Sequence, residues 1–186
     1  MAVRNEAGRV LSASFACADF LFARCYGEIH RVPHEIERKY LVRSDAWKRD
    51  VKPVRITQGY LSRVNERVVR VRLAGGKGWL TVKGKSHGPR RREYEYEIPP
   101  AHAAEMLDQL CERPLVDKLR YRISVKDVVW EVDEFLGENA GLVIAEVELR
   151  QERSLVALPD WVGAEVTDDP RYYNNHLAEH PFSTWK

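Results

Sequence analysis

From His34 onward, apolar and polar residues alternate with the period of two that a strand imposes on its side chains. The alternation predicts strands over 34–43, 55–63, 66–73, 78–85, 91–98, 116–125, 128–135 and 142–150. Gly75-Gly76, Gly88-Pro89 and the stretch from Gly137 to Gly141 supply turn chemistry between them. One segment changes period. After Pro99-Pro100, the residues Ala103, Met106, Leu107 and Leu110 fall at i, i+3, i+4 and i+7, which predicts an amphipathic helix between the fifth and sixth strands. Shorter helices are predicted from Ser44, as N-cap, to about Arg49, and from Arg171 to Glu179. Residues 1–33 show neither period. They read as an N-terminal extension, poorly ordered or loosely docked, with a short amphipathic helix over Ser12–Arg24 as the alternative. The expected organisation is this extension followed by one domain over 34–186.

The polar face of the strands is unusual, because it carries charge of both signs in strand after strand. Glu35, Glu37 and Lys39 share one face of the first strand, Arg70 and Arg72 one face of the third, and Lys83 and Lys85 follow Thr81 on the fourth. Glu93, Glu95 and Glu97 alternate on the fifth, and Lys118, Arg120 and Arg122 on the sixth. Glu131 and Asp133 follow on the seventh, then Glu146, Glu148 and Arg150 on the eighth. A one-sided sheet with a solvated charged face would account for any single strand. Eight strands together fit a closed barrel better, because long sheets curl and the predicted helices are too short to cover so wide an apolar face. The fold class expected is α+β: an eight-stranded antiparallel β-barrel with a charged interior and helices packed outside. Mixing acidic and basic strands lowers the cost of burying so much charge. It also offers cations for phosphate oxygens and carboxylates for a divalent metal.

Composition narrows the classes without choosing among them. The chain has 186 residues and a net charge of +2, so bulk basicity does not argue for nucleic acid or a membrane surface. A nucleic-acid barrel would place aromatics beside exposed basic residues, whereas here the aromatics mostly fall opposite the charges. Trp47, Trp79, Trp130, Trp161 and Trp185 are accordingly expected to pack in the outer wall. Cys17, Cys25 and Cys111 are odd in number and lack zinc spacing, which makes a reducing cytoplasm the simplest compartment. No apolar run approaches the roughly 18 residues that span a bilayer. The mildly apolar Val10–Cys25 is interrupted by Asp19 and Arg24, against a signal peptide. His30, His34, His87, His102, His176 and His180 show no ligand spacing and are read as surface or capping residues.

The order of short motifs resembles a known family. Glu35-Ile36-Glu37-Arg38-Lys39 reproduces the ExExK signature of the CYTH superfamily, the triphosphate tunnel metalloenzymes. Gln58-Gly59-Tyr60-Leu61, Val69-Arg70-Val71-Arg72 and Leu80-Thr81-Val82-Lys83-Gly84-Lys85 follow in order. Then come Arg92 to Glu97, Asp117 to Tyr121, Trp130 to Phe135 and Ala145 to Leu149. Glu165-Val166-Thr167 and Arg171 to Asn174 are similar to the short bacterial branch. The resemblance implies an eight-stranded tunnel, Mg²⁺ or Mn²⁺ as cofactor, and hydrolysis of a triphosphate, for this branch mainly inorganic tripolyphosphate. It leaves a class IV-type adenylate cyclase, a thiamine triphosphatase and a non-catalytic polyphosphate- or nucleotide-binding module as alternatives. The partner expected is a small-molecule triphosphate, with no nucleic acid and no membrane; a homodimer is left open.

Roles follow from side-chain chemistry within that frame. Glu35, Glu37, Glu146 and Glu148 are the candidate metal ligands, as oxygen donors for a hard cation. Arg70 and Arg72 offer planar forks for phosphate, and Lys39, Lys83, Lys118 and Arg120 add positive charge. Lys39, Tyr60, Glu93 and Glu95 are the candidate catalytic residues; Glu93 and Glu95 would bind a second metal or orient the attacking water. Tyr60 stands where the short bacterial branch has an active-site tyrosine, and a purely structural tyrosine is the other reading. Asp169 and Arg171 are expected to close one mouth of the tunnel. Some relatives carry a lysine near Tyr173, so its absence here argues against a C-terminal contact to phosphate.

Overall fold

The alternating runs are realised as nine antiparallel strands in a computed structural model that describes residues 36–48, 51–64, 66–87, 90–149 and 156–185. The predicted extension over 1–33 lies outside the described residues. The strands are β1 (Ile36–Val42), β2 (Val54–Ser62), β3 (Arg67–Ala74), β4 (Lys77–His87), β5 (Arg90–Ile98), β6 (Glu112–Val125), β7 (Val128–Phe135), β8 (Val143–Leu149) and β9 (Val162–Glu165). They form one sheet in the order β5-β4-β3-β2-β6-β7-β8-β1-β9. Among the described residues no ladder joins β5 to β9, so the sheet is not the closed eight-stranded barrel expected from sequence. The ninth strand is the reason. β9 occupies the free side of β1, and just beyond it Val166 N–H donates to Lys39 O (2.8 Å) while Thr167 Oγ1 accepts from Lys39 N–H (3.1 Å). Those bonds use up the β1 edge that closure would need. The sheet still curls far enough for strands β1 through β8 to line a single cavity.

Apolar residues form three clusters, two on the outer face and one, around Tyr60, Val116 and Phe135, on the concave face. The helix α1 (Pro100–Gln109) begins with Pro100 in its first turn, where the missing N–H costs nothing, and lays Ala103 and Leu107 over Val71 and Cys111. Leu110, the last residue of the predicted stripe, is instead exposed. Among the described residues, the β6-β7-β8-β1 wall is covered by aromatic residues rather than by a helix. Trp130 meets Tyr40 and Trp161 edge-to-face, at ring separations of 5.5 and 5.6 Å. The helix predicted from Ser44 is only a 3₁₀ turn, Asp45–Trp47, and Ser44 makes no side-chain cap bond. Trp47 is drawn into the wall against Tyr121, ring centroids 4.8 Å apart. The helix predicted over 171–179 is likewise split into a 3₁₀ turn, Pro170–Tyr172, and α2 (Asn174–Leu177). Extended Tyr173 separates them, its hydroxyl donating to Thr167 O (2.9 Å). Leu177 and Ala178 then pack on Tyr60, Val116 and Phe135, which fastens the C-terminal segment across one end of the sheet.

Gly59 shows how tightly β2 is clamped between its neighbours. A Cβ there would stand 2.6 Å from Leu115 Cδ2 and 2.7 Å from Cys111 Cβ. Gly59→Ala should therefore destabilise the domain by about 1–3 kcal/mol, through overpacking. A denaturant melt matching wild type would show that Leu115 and Cys111 can yield to the added methyl.

Candidate active site

Period two sends alternate side chains of each strand to the concave face, and these enclose a cavity of about 990 Å³. Glu37, Lys39, Arg70, Arg72, Lys83, Glu93, Glu95, Lys118, Arg120, Glu146 and Glu148 all line it, on the face their alternation predicted, and Tyr60, singled out by the family resemblance, lines it too. Glu35 lies outside the described residues.

The cavity is deep at one end and open at the other. Along one face of β6, side-chain exposure rises from 2% at Lys118 to 17% at Arg120 and 69% at Arg122. The partner strand β7 runs in parallel with this gradient, from fully buried Asp133 to partly exposed Glu131. The deep end is closed by Tyr173, Asn174 and Asn175, with Asn174 Oδ1 accepting from Lys118 Nζ at 3.3 Å. Asp169 and Arg171 do not close the cavity. They pair with each other (2.6 Å) outside it, because two residues of opposite charge two positions apart satisfy each other on the exposed turn. The C-terminal segment thus reaches the charged residues through amides, which sequence reasoning had passed over.

Two charge networks face each other. On one wall Lys39 lies between two carboxylates, bonding Glu37 and Glu146, the latter at 2.5 Å. Glu148 stands directly opposite Glu37 in the β1–β8 register. Burial, and then repulsion from Glu146, raises the Glu37 carboxyl to about 7 against the pull of Lys39. Burial acts to raise Glu146 too, but Lys39, Arg120 and Lys118 together hold it well below the usual carboxylate range. Arg120 grips Asp133 with Nε (2.7 Å) and Nη2 (2.6 Å), reaches Glu146 (2.8 Å) and bonds Glu131. Burial pushes the Lys118 ammonium below its ordinary value, although Asp133 accepts from it at 2.5 Å. Asp133 is therefore the hub of the deep end, a role that its place on the charged face announced only in part.

On the other wall Glu95 accepts from Arg70 (3.3 Å), Arg72 (3.0 Å) and Thr81 (2.8 Å), and Glu93 pairs with Lys83 (2.6 Å). The Nε atoms of both Arg70 and Arg72 are buried with no acceptor. Trp79 joins this face, contrary to its assignment to the outer wall. It sits opposite Arg72 in the β3–β4 register, with the guanidinium 5.7 Å from its ring. Tyr60 is buried beside Gln58, whose Nε2 is 3.4 Å from the Tyr60 hydroxyl.

The donor set is all oxygen on the Glu37–Glu146–Glu148 wall, which suits a hard divalent cation. Among the described residues no three histidines, cysteines or carboxylates stand close enough to hold a metal by themselves. A cation there would take its remaining ligands from water and phosphate, the habit of Mg²⁺. No helix among the described residues is long and apolar enough to cross a membrane.

The chain matches the CYTH domain model over residues 33–173. An inorganic triphosphatase of Acetivibrio thermocellus is 52% identical over 152 residues, covering 82% of this chain and 97% of the relative. An inorganic triphosphatase of Nitrosomonas europaea is 36% identical over 148 residues, covering 77% of this chain and 96% of the relative. The crystal structure of the inorganic triphosphatase NE1496 aligns with a TM-score of 0.58 at 35% identity, covering 77% of this chain and 93% of that one.

Proposed function

The chain belongs to the CYTH domain family, and from that premise we propose that it is a metal-dependent phosphohydrolase acting on inorganic tripolyphosphate. The observation that carries this reading is the pair of buried, unpartnered Nε donors of Arg70 and Arg72, set in a cavity lined by further cations. A buried donor without an acceptor costs about 1–3 kcal/mol, which a bound phosphate oxygen would recover. The exposure gradient gives the substrate one way in, past Arg122, towards Lys118 at the deep end. We assign the activity to the domain over residues 34–186, most of which the family match over 33–173 covers.

The chain's own residues then have separate tasks. Arg70 and Arg72 hold phosphate oxygens through planar forks, while Lys39, Lys83, Lys118 and Arg120 neutralise and position the chain. Glu37, Glu146 and Glu148, with Glu35 preceding them in the motif, would hold Mg²⁺ or Mn²⁺. The ion would supply charge neutralisation at the phosphate oxygens. Glu93 and Glu95 orient the attacking water, and the Tyr60 hydroxyl donates to an oxygen of the substrate. Water adds to phosphorus, a P–O–P bond breaks, and orthophosphate and pyrophosphate leave.

Phosphate release from tripolyphosphate, with ATP and thiamine triphosphate as comparators, tests the reading in Mg²⁺, in Mn²⁺ and in EDTA. Tripolyphosphate should be preferred and EDTA should abolish turnover. Glu37→Gln should raise the metal concentration needed for half-maximal rate while leaving the fold intact, since it removes one anionic oxygen. Full activity in EDTA would refute the metal role, and a Glu37→Gln enzyme with unchanged metal demand would remove that residue from the site.

A further inference from the structure

Two imidazoles outside the cavity come together in a way that the sequence reading missed. His176 and His180 are four residues apart, and a helix-type hydrogen bond spans the turn that follows α2. His180 N–H donates to His176 O at 2.7 Å, and Ala178 N–H to Asn174 O at 3.1 Å. That turn puts both side chains on one face, with ring centroids 4.7 Å apart and planes tilted by 47°. Two histidines at i and i+4 on one helical face are a bidentate grip for a metal ion. Both ends of the grip are anchored. His176 N–H donates to Tyr173 O (2.9 Å), and His180 O accepts from Trp185 Nε1 (3.1 Å). Little backbone freedom therefore remains to be lost on chelation.

We propose that His176 and His180 form a second metal site, for a borderline-soft transition-metal dication such as Zn²⁺ or Ni²⁺. Imidazole suits these ions, whereas Mg²⁺ and Ca²⁺ take oxygen, so this site and the carboxylate wall select different metals. Among the described residues no third histidine, cysteine or carboxylate joins the pair, and water completes the coordination. The location couples the site to the cavity. The turn that carries both histidines starts at Asn174 and Asn175, which line the deep end, and Asn174 holds Lys118. An ion bridging the two rings staples that turn in place. The inference rests on the geometry of the turn and stands whether or not the cavity hydrolyses tripolyphosphate.

Thermal melts of the full chain in millimolar Mg²⁺, titrated with NiCl₂ or ZnCl₂, test it without any activity measurement. An ion that binds only the folded state raises the melting temperature as its concentration rises. Wild type should show that rise, and His176→Gln and His180→Gln should each lose it. His180 is exposed, so His180→Gln should melt with wild type when no transition metal is present. Isothermal titration in the same buffer should lose one binding event in either variant. A rise retained in both variants would mean that the ion binds elsewhere, and no rise in wild type would mean that the rings merely touch; either result overturns the site.

Discussion

Asp133→Ala should cost the domain about 3–5 kcal/mol, because it strands buried Lys118 and takes two hydrogen bonds from Arg120, which keeps only Glu131 and Glu146. Asp133 is fully buried, and it accepts from Lys118 Nζ at 2.5 Å and from Arg120 at 2.6 and 2.7 Å. Lys118 is itself 2% exposed, and it also donates to the neutral Asn174. Burial already pushes its ammonium towards deprotonation, and without Asp133 only the charge of Glu146 is left to oppose that. At roughly 2–4 °C per kcal/mol for a domain of this size, the melting temperature should fall by about 6–20 °C. Asp133→Asn keeps the shape and one acceptor and should fall between. Asp169→Ala breaks an exposed pair and should be nearly silent. Urea melts of the three variants decide the matter. If Asp133→Ala melts with wild type, water reaches the deep end and the hub is not a hub.

Arg72→Lys should lower kcat/KM for tripolyphosphate by about 10- to 100-fold, the worth of a lost charge-assisted hydrogen bond to phosphate. Lysine keeps the charge but not the planar fork. If the fork acts in the transition state, kcat falls with kcat/KM; a rise in KM alone would mean uniform binding. Arg72→Ala should be worse for turnover and mild for stability. Burial, and then the charge of Arg70, depresses the Arg72 guanidinium, so like charge is crowded there. Glu95 keeps Arg70 (3.3 Å) and Thr81 (2.8 Å) when Arg72 is gone. The melting temperature should stay level or rise. Wild-type kinetics for Arg72→Lys would dismiss the fork, and joint collapse of rate and melting temperature in Arg72→Ala would make Arg72 a structural bridge.

Period two made the charged face legible, since parity fixes the side of the sheet wherever a strand is long. It did so for Lys118, Arg120 and Arg122, and parity with Thr81 and Lys83 would have put Trp79 there as well, had its aromaticity not suggested the wall. Where alternation stops, the reading stopped too. β6 begins at Glu112, ahead of the predicted 116, because Arg113-Pro114 hides the pattern and the pairing with Tyr60 crosses a register shift. β9 has four residues, too few to show a period, and exists because β1 offers it an edge. The deep end was misassigned for a chemical reason. Asp169 and Arg171 carried the charge that attracts attention, but they satisfy each other, and uncharged Asn174 makes the contact.

The sheet order also dictates when the site can exist during folding. β1 is made first but lies between β8 and β9, so Lys39 and Glu146 must meet across 107 residues. The strands β2 to β5 pair as successive hairpins, whose short loops close at small entropic cost. The first strand has no local partner and waits for two long loop closures, to β8 and to β9. Pairing of that kind is slow, and it leaves an unpaired edge open to other chains meanwhile. On a ribosome, a chain that has not yet released β8 holds Glu37 without the Glu146 and Glu148 that face it. The carboxylate wall is thus a product of a late ladder, and a metal ion that needs both of its strands cannot serve as the seed on which this fold begins.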